Sequence, residues 1–309
     1  METQKPIYIL GSGAIGLALA VNLINHNNKV ILVKISRDDF SEEKKQISLE
    51  NGHGKINTAS ISMVSLNKLE DLNGTIVITA KSHVNEIIAT KLLEKKVNSP
   101  LVIMQNGLRV EEPFLSKGFA EIYRCILFAT SQTISEYHVR YRPIKPSPIG
   151  IIKGDKHNLQ EIVNTLSTPH FSFFSENQIQ EKIWQKAIIN SVFNSVCPLL
   201  NIDNGIFFRN KEVTQIASEI IKECVIVTSA VGIILNEKEI LQQVLNISEI
   251  STGQLISTLQ DLNNKRKTEI EFLNLEIARI AKTHNQRSQI KITELLGKLI
   301  RIKSTLLEE

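Results

Sequence analysis

The chain is poor in cysteine: Cys125, Cys197 and Cys224 lie far apart and form no CxxC or metal-ligand spacing. So low and odd a count excludes a disulfide framework and points to buried thiols in a reducing compartment. The seven histidines form no HxxxH or HExxH pair, so no metal is expected. P-loop, GxSxG and kinase motifs are missing as well. Charge of one sign is barely in surplus, with 36 Lys and Arg against 32 Asp and Glu, a net +4. The cations are scattered among acids, which excludes a nucleic-acid footprint and leaves room for an anionic ligand. The uncharged run 224–236 falls short of the about 20 apolar residues that span a bilayer, so no membrane partner is expected. METQKPIYILGSG runs directly into a strand-like segment without the basic-then-apolar pattern of a signal sequence. A cytoplasmic location is the expectation. There is no internal repeat and no low-complexity tract.

What is present is an ordinary globular composition, 42% hydrophobic and 22% charged over 309 residues, a length that suggests two domains. The first half alternates short β-branched runs, IYIL (7–10), KVILVKI (29–35), SISMV (60–64), TIVITA (75–80), PLVIMQN (100–106) and CILFAT (125–130), with helical stretches. Continuous apolar strands of this kind suit a parallel sheet covered on both faces, so a doubly wound α/β fold is expected. RYRPIKPSPIG (140–150) breaks the rhythm with prolines and reads as strand edges or loops. From about 179 the apolar spacing is three and four residues, over 181–200, 211–235, 238–245 and 254–284. The expectation is a Rossmann-like domain over 1–176 followed by an all-helical domain over 177–309.

Gly11-Ser12-Gly13-Ala14-Ile15-Gly16 is GxGxxG, directly after the first strand and opening a helix. The first glycine permits the tight turn, the second lets backbone approach a pyrophosphate, and the third allows close helix–strand packing. Amides at the helix start then face the phosphates. An NAD site usually carries an acid about 20 residues on, at the end of the second strand. Here VILVKISRDD offers Lys34 and Arg37, cations that suit a 2′-phosphate, so NADP is expected over NAD. The competing reading leaves both cations solvated and Asp38 on the ribose.

On a helix, Lys186, Asn190 and Asn194 are four residues apart and share one face among apolar neighbours such as Ile183, Trp184 and Phe193. Buried polar groups need partners, so such a line suggests a ligand-lined surface; a polar stripe satisfied by neighbouring backbone is the alternative.

TAKSHV (79–84), QNGLRVEE (105–112), EKIWQKAIINSVFN (181–194), NIDNG (201–205) and STLQDLNNKRKTEIEFLN (257–274) occur in this order. Together they resemble the 2-dehydropantoate 2-reductase (ketopantoate reductase) family across essentially the whole chain. The resemblance implies NADPH-dependent reduction of 2-dehydropantoate to (R)-pantoate on the way to pantothenate and coenzyme A. It implies Lys186 as proton donor, and a lysine ammonium does suit the alkoxide that develops as a 2-oxo acid is reduced. It further implies Glu269 at the substrate hydroxyl or the site lysine and beside the cofactor. Asn190, Asn194, Asn204 and Ser257 become substrate contacts, while Lys81 and Asn106 become cofactor contacts. Substrate is expected between the domains, in a monomer or homodimer. Arg109, Ser195, Lys265 and Leu275 depart from common family glycines or proline, and a proline usual near Gln289 is absent. These departures bear on substrate identity more than on the chemistry. A different small 2-oxo acid, or a nucleotide-binding regulator without turnover, are the alternatives.

Overall fold

The computed structural model describes residues 5–35, 39–52 and 54–308. Contacts divide the chain into two compact units, one of Met1–Gln105 with Val110–Ile179 and one of Asn106–Arg109 with Gln180–Glu309. Against a boundary expected after residue 176, the break comes at Ile179, and the short segment Asn106–Arg109 goes with the second unit.

The first unit is built on one sheet. Its first strands are β1 (Ile7–Leu10), β2 (Val30–Lys34), β3 (Glu43–Glu50), β4 (Ile56–Ser65), β5 (Thr75–Ile78) and β6 (Leu101–Ile103). They are followed by β7 (Ile122–Cys125), β8 (Ala129–Ser135), β9 (His138–Pro143), β10 (Ser147–Lys153) and β11 (Phe173–Ser175). Helices α1 (Ala14–Ile24), α2 (Asn85–Glu94), α3 (Glu112–Ser116) and α4 (Lys156–Leu166) belong with them. Six strands pair in parallel in the order β4-β2-β1-β5-β6-β7. That is the doubly wound dinucleotide-binding order, which reverses between β1 and β5. The uninterrupted apolar sequence of β1 is buried at every position, and α1 buries eight consecutive residues from Gly16 to Leu23 against the same core. Its one polar member, Asn22, is satisfied by donating to the Ala18 carbonyl at 2.8 Å.

The sheet is not wholly parallel. β3 lies antiparallel to β4, β8 to β9 and β10 to β7. The run expected as one strand over 125–130 is instead the end of β7 and the start of β8. The sequence EKKQISLE conceals β3 because charged and polar residues fill its first half and only Ile47 and Leu49 are buried, although β4 pairs along its whole length. Arg140 on β9 fixes the neighbouring register with a two-pronged pair to Glu50, at 2.8 and 3.1 Å.

The second unit is helical: α5 (Ile179–Leu200), α6 (Ile206–Arg209), α7 (Lys211–Ala230), α8 (Glu237–Ile250), α9 (Ser257–Asn263), α10 (Asn274–Thr283) and α11 (Lys291–Glu308). Asn210 and Asn236 cap α7 and α8 by accepting two backbone amides each. The stretch expected to be helical over 254–284 is broken into α9, a single 3-10 turn at Ile270–Phe272 and α10. The break includes Lys265 at φ +52°, a left-handed conformation that ends the helix before it. No helix among the described residues is long and apolar enough to cross a membrane.

Candidate active site

In the first unit, the glycine turn joins β1 to α1 and its three glycines meet different surroundings. Gly11 has φ +124°, and a Cβ there would sit 2.8 Å from the Ala80 Cα atom. A Cβ on Gly16 would collide with the Gly11 carbonyl oxygen and lie 2.7 Å from Thr79 Oγ1. Gly13 is the reverse, since a Cβ there would meet nothing within 4 Å. Two glycines therefore close the turn on the chain itself and the middle one leaves its outer side open. Thr79, after β5, fastens the turn by donating to the Gly11 carbonyl at 3.0 Å. The first turn of α1 has no side-chain cap and no acidic residue. Uncapped amides at a helix N-terminus, beside an open glycine, can hold a pyrophosphate. Ser12, Ala14 and Ile15 complete that turn.

Lys34 ends β2 and is buried. Its ammonium stands 4.1 Å from the centre of the Phe40 ring and donates to Tyr137 Oη at 3.4 Å. This aromatic surrounding holds a cation where an NAD site would place a carboxylate. Arg37, the other expected 2′-phosphate contact, lies outside the described residues. Lys81 is half-buried at the head of the short turn Ser82–Val84 that follows β5.

Both sides of the segment around Asn106 are anchored by buried polar groups of the first unit. The side-chain amides of Asn85 and Gln105 bond reciprocally at 2.7 Å, and Asn85 also donates to the Val110 carbonyl at 2.7 Å. Gln105 Nε2 donates to the Ala80 carbonyl, and buried Arg124 pairs with Glu111 while reaching the Gln105 carbonyl at 3.2 Å.

Asn106–Arg109 itself packs in the second unit, on the segment that carries Glu269. Leu108 donates its amide to the Phe272 carbonyl at 2.8 Å, and Phe272 donates to the Glu269 carbonyl at 3.0 Å. Gly107, at φ +100°, lies so near Phe272 that a Cβ would stand 2.7 Å from its carbonyl oxygen. Leu108, two residues after the expected site residue Asn106, is thus tied by backbone bonds to the turn that begins at Glu269. Arg109 adopts φ +55°, a left-handed conformation, and its guanidinium lies 3.6 Å from Glu276.

Lys186 and Asn190 are half-buried on α5, and Asn194, one turn further, is buried. Asn194 donates to the Asn190 carbonyl at 2.9 Å and accepts the Ser257 hydroxyl and the Thr258 amide, both at 3.3 Å. It therefore caps α9 from another helix, supplying the side-chain acceptor that Ile256 at the start of α9 lacks. Asn190, Asn194 and Ser257 form one constellation on the face of Lys186. Asn194→Ala is expected to destabilise the protein by about 1–2 kcal/mol through loss of this cap. Thermal denaturation checks it.

Asn204 is buried, and its side-chain oxygen has no hydrogen-bond partner. Its backbone is held by the Gln254 carbonyl at 2.9 Å and the Ser248 hydroxyl at 2.7 Å. The neighbouring Asp203, which sequence reasoning passed over, organises that turn. It accepts two bonds from Arg209 at 3.1 and 2.9 Å and the amides of Gly205 and Gly253 at 2.6 and 3.2 Å. Chiefly through Arg209, these donors hold its carboxyl at about 2. A carboxyl lowered in the folded state stabilises the fold above its ordinary value and loses that contribution as pH falls through the lowered one. Asp203→Asn is therefore expected to flatten the fall in melting temperature between about pH 4 and pH 2. A melting series across that range checks it.

All three cysteines are buried, and burial pushes the Cys197 and Cys224 thiols up to about 12. Among the described residues no group of three or more His, Cys, Asp or Glu side chains could hold a metal ion. Trp184 is a core residue.

Comparison with known proteins agrees with this arrangement along nearly the full length. The family model described as ketopantoate reductase PanE/ApbA matches residues 7–153, and its C-terminal counterpart matches 178–304. The 2-dehydropantoate 2-reductase of Pyrococcus horikoshii is 28% identical over 309 residues, covering 97% of this chain and 98% of that protein. The PanE/ApbA family ketopantoate reductase from Ralstonia eutropha superposes with a TM-score of 0.85 at 18% identity, over 98% and 100% of the two chains. A D-mandelate dehydrogenase, solved with NADH and anilino(oxo)acetate, also reaches 0.85, at 20% identity and over 98% and 99% of the chains. At these identities the structural likeness speaks for the fold.

Proposed function

The chain belongs to the ketopantoate reductase family, and from that premise we propose that it reduces 2-dehydropantoate to (R)-pantoate with NADPH. The observation that carries the reading is the face of α5 on which Lys186 and Asn190 stand above Asn194, itself bonded to Ser257. The turn at Gly11–Gly16 fits a dinucleotide, because a Cβ at Gly13 would fill the open side that a pyrophosphate needs. The nicotinamide supplies the hydride when bound.

In this reading Lys186 stabilises the oxygen that becomes negative and then gives it a proton. Asn190 and Asn204 bind the substrate's polar groups, the second through the side-chain oxygen that lacks a partner within the protein. Ser257 takes its place through Asn194. Glu269 accepts from the substrate hydroxyl or orients Lys186, while Asn106 and Lys81 hold the cofactor. Lys34 favours NADPH over NADH, since it places a cation at the tip of β2. The pathway to pantothenate and coenzyme A, and a cytoplasmic location, follow from the same reading.

A second reading keeps the chemistry and changes the acid. It is favoured by Arg109 and Leu275 at common family glycine positions, and by the shared fold of the D-mandelate dehydrogenase. Oxidation of NADPH and of NADH, each with 2-dehydropantoate and with a panel of other 2-oxo acids, decides between them. The expected outcome is the largest kcat/KM for 2-dehydropantoate with NADPH; preferential turnover of another acid overturns the substrate assignment.

A further inference from the structure

We infer that Gln105 and Asn85 are positioning residues for the cofactor: their paired side-chain amides set the spacing of Lys81 and Asn106, an assignment that rests on those two residues being cofactor contacts as proposed above. Strands β5 and β6 pair in parallel from Ile76 and Leu101 to Ile78 and Ile103, and the Met104 amide then donates to the Ile78 carbonyl at 3.0 Å. Counted onward in this register, Ala80 falls opposite Gln105, and Lys81 opposite Asn106. A side chain makes the link there, since Gln105 Nε2 donates to the Ala80 carbonyl at 2.6 Å.

The two amides close on each other. Each side-chain nitrogen donates to the other residue's side-chain oxygen at 2.7 Å, and Asn85 Nδ2 donates as well to the Val110 carbonyl at 2.7 Å. A carbonyl only accepts, so those of Ala80 and Val110 fix which way each amide faces. Both residues are buried, and a buried polar pair with every donor and acceptor satisfied holds one geometry. On one side, buried Arg124, paired with Glu111, donates at 3.2 Å to the Gln105 carbonyl, which belongs to the peptide bond with Asn106. On the other, the Ala80 amide donates at 2.9 Å to the carbonyl of Leu10, the residue before the glycine turn. One line of bonds thus runs from that turn through Ala80 to the peptide group that carries Asn106.

The strand order says which half of the cofactor this spacing governs. β2, with Lys34 at its end, lies on one side of β1, while β5 and β6 lie on the other. A dinucleotide laid across the reversal between β1 and β5, with its adenosine ribose toward β2, meets Lys81 and Asn106 with its nicotinamide half. Gln105 and Asn85 spend their amide atoms within the protein and act on the ligand only through those two neighbours. Loss of the pair therefore loosens the grip on the nicotinamide half and leaves the adenosine half held as before. A pair that merely stabilised the sheet would, on removal, weaken both halves alike.

Gln105→Met keeps the length of the side chain and removes the three bonds its amide makes. NADPH and adenosine 2′,5′-bisphosphate, which lacks the nicotinamide half, are titrated into the full chain, with circular dichroism as the control for folding. Wild-type protein that binds no NADPH overturns the cofactor reading itself. Where the wild type binds it, the variant is expected to bind NADPH on the order of tenfold more weakly while its affinity for the bisphosphate is unchanged. Gln105→Glu keeps the shape and loses the two donated bonds, so the same split is expected there, and it serves where Gln105→Met does not fold. Unchanged affinity for NADPH, equal losses for the two ligands, or failure of both variants to fold overturns the positioning role and leaves the cofactor reading standing.

Discussion

Lys186→Ala should keep its fold and its affinity for cofactor while kcat falls on the order of 10³-fold. The reason lies in what alanine leaves behind. Lys186 is half-buried on α5, its neighbours Ala187, Ile188 and Ile189 are core residues, and alanine preserves the helix. The loss is therefore chiefly that of the ammonium, whose interaction with the substrate oxygen in the proposed reaction strengthens as negative charge forms there. Such a loss lowers kcat and kcat/KM together. Lys186→Arg should not restore the rate, since a guanidinium stays protonated and is a poor acid. Steady-state kinetics with a cofactor-binding titration check this. A variant with unchanged kcat would remove Lys186 from the chemistry.

The glycine turn gives the second large effect, and here two substitutions of the same kind should behave differently. Gly16→Ala places a methyl group against the Gly11 carbonyl and Thr79 Oγ1, both fixed by the turn's own hydrogen bonds. It should destabilise the protein by about 1–3 kcal/mol and abolish cofactor binding, because the turn must open to admit the methyl group. Gly13→Ala meets no protein atom and has an ordinary φ of −77°. Its stability should stay within about 1 kcal/mol of the wild type. Its cofactor affinity should nevertheless fall on the order of tenfold to a hundredfold, because the methyl group occupies the approach of the pyrophosphate. Melting curves paired with fluorescence titration of NADPH separate the cases. Equal affinity of Gly13→Ala and wild type would show that no phosphate approaches there.

How much of this could be read from sequence depended on whether a signal was local. The strands β1, β2 and β5 and the turn after β1 were legible because buried parallel strands are uninterrupted apolar runs and GxGxxG is contiguous. The face of α5 was legible because a helix repeats every 3.6 residues. β3 and the pair β8 and β9 were not, since none of them is an uninterrupted apolar run: polar residues fill β8 and the first half of β3, and buried positions only alternate along β9. α11 repeats its apolar residues at helical spacing along KITELLGKLIRIKSTLLE and was open to the same reading. Long-range roles left no trace at all. The bond from Asn194 to the Thr258 amide spans 64 residues, and the one from Lys34 to Tyr137 spans 103. The packing of Asn106–Arg109 on Phe272 depends on a backbone amide, which no side chain advertises.

The proposal's core is hydride transfer to the carbonyl carbon of a 2-oxo acid on this chain, and isotopic labelling reaches it directly. The protein should be incubated with 2-dehydropantoate and NADPH deuterated on the transferring face of the nicotinamide, and the product examined by mass spectrometry and proton NMR. Pantoate carrying deuterium at C2, formed by the wild type and nearly lost with Lys186→Ala, is the expected result. Labelled cofactor that binds but passes no deuterium to this or any other 2-oxo acid would contradict it and leave a nucleotide-binding protein without turnover.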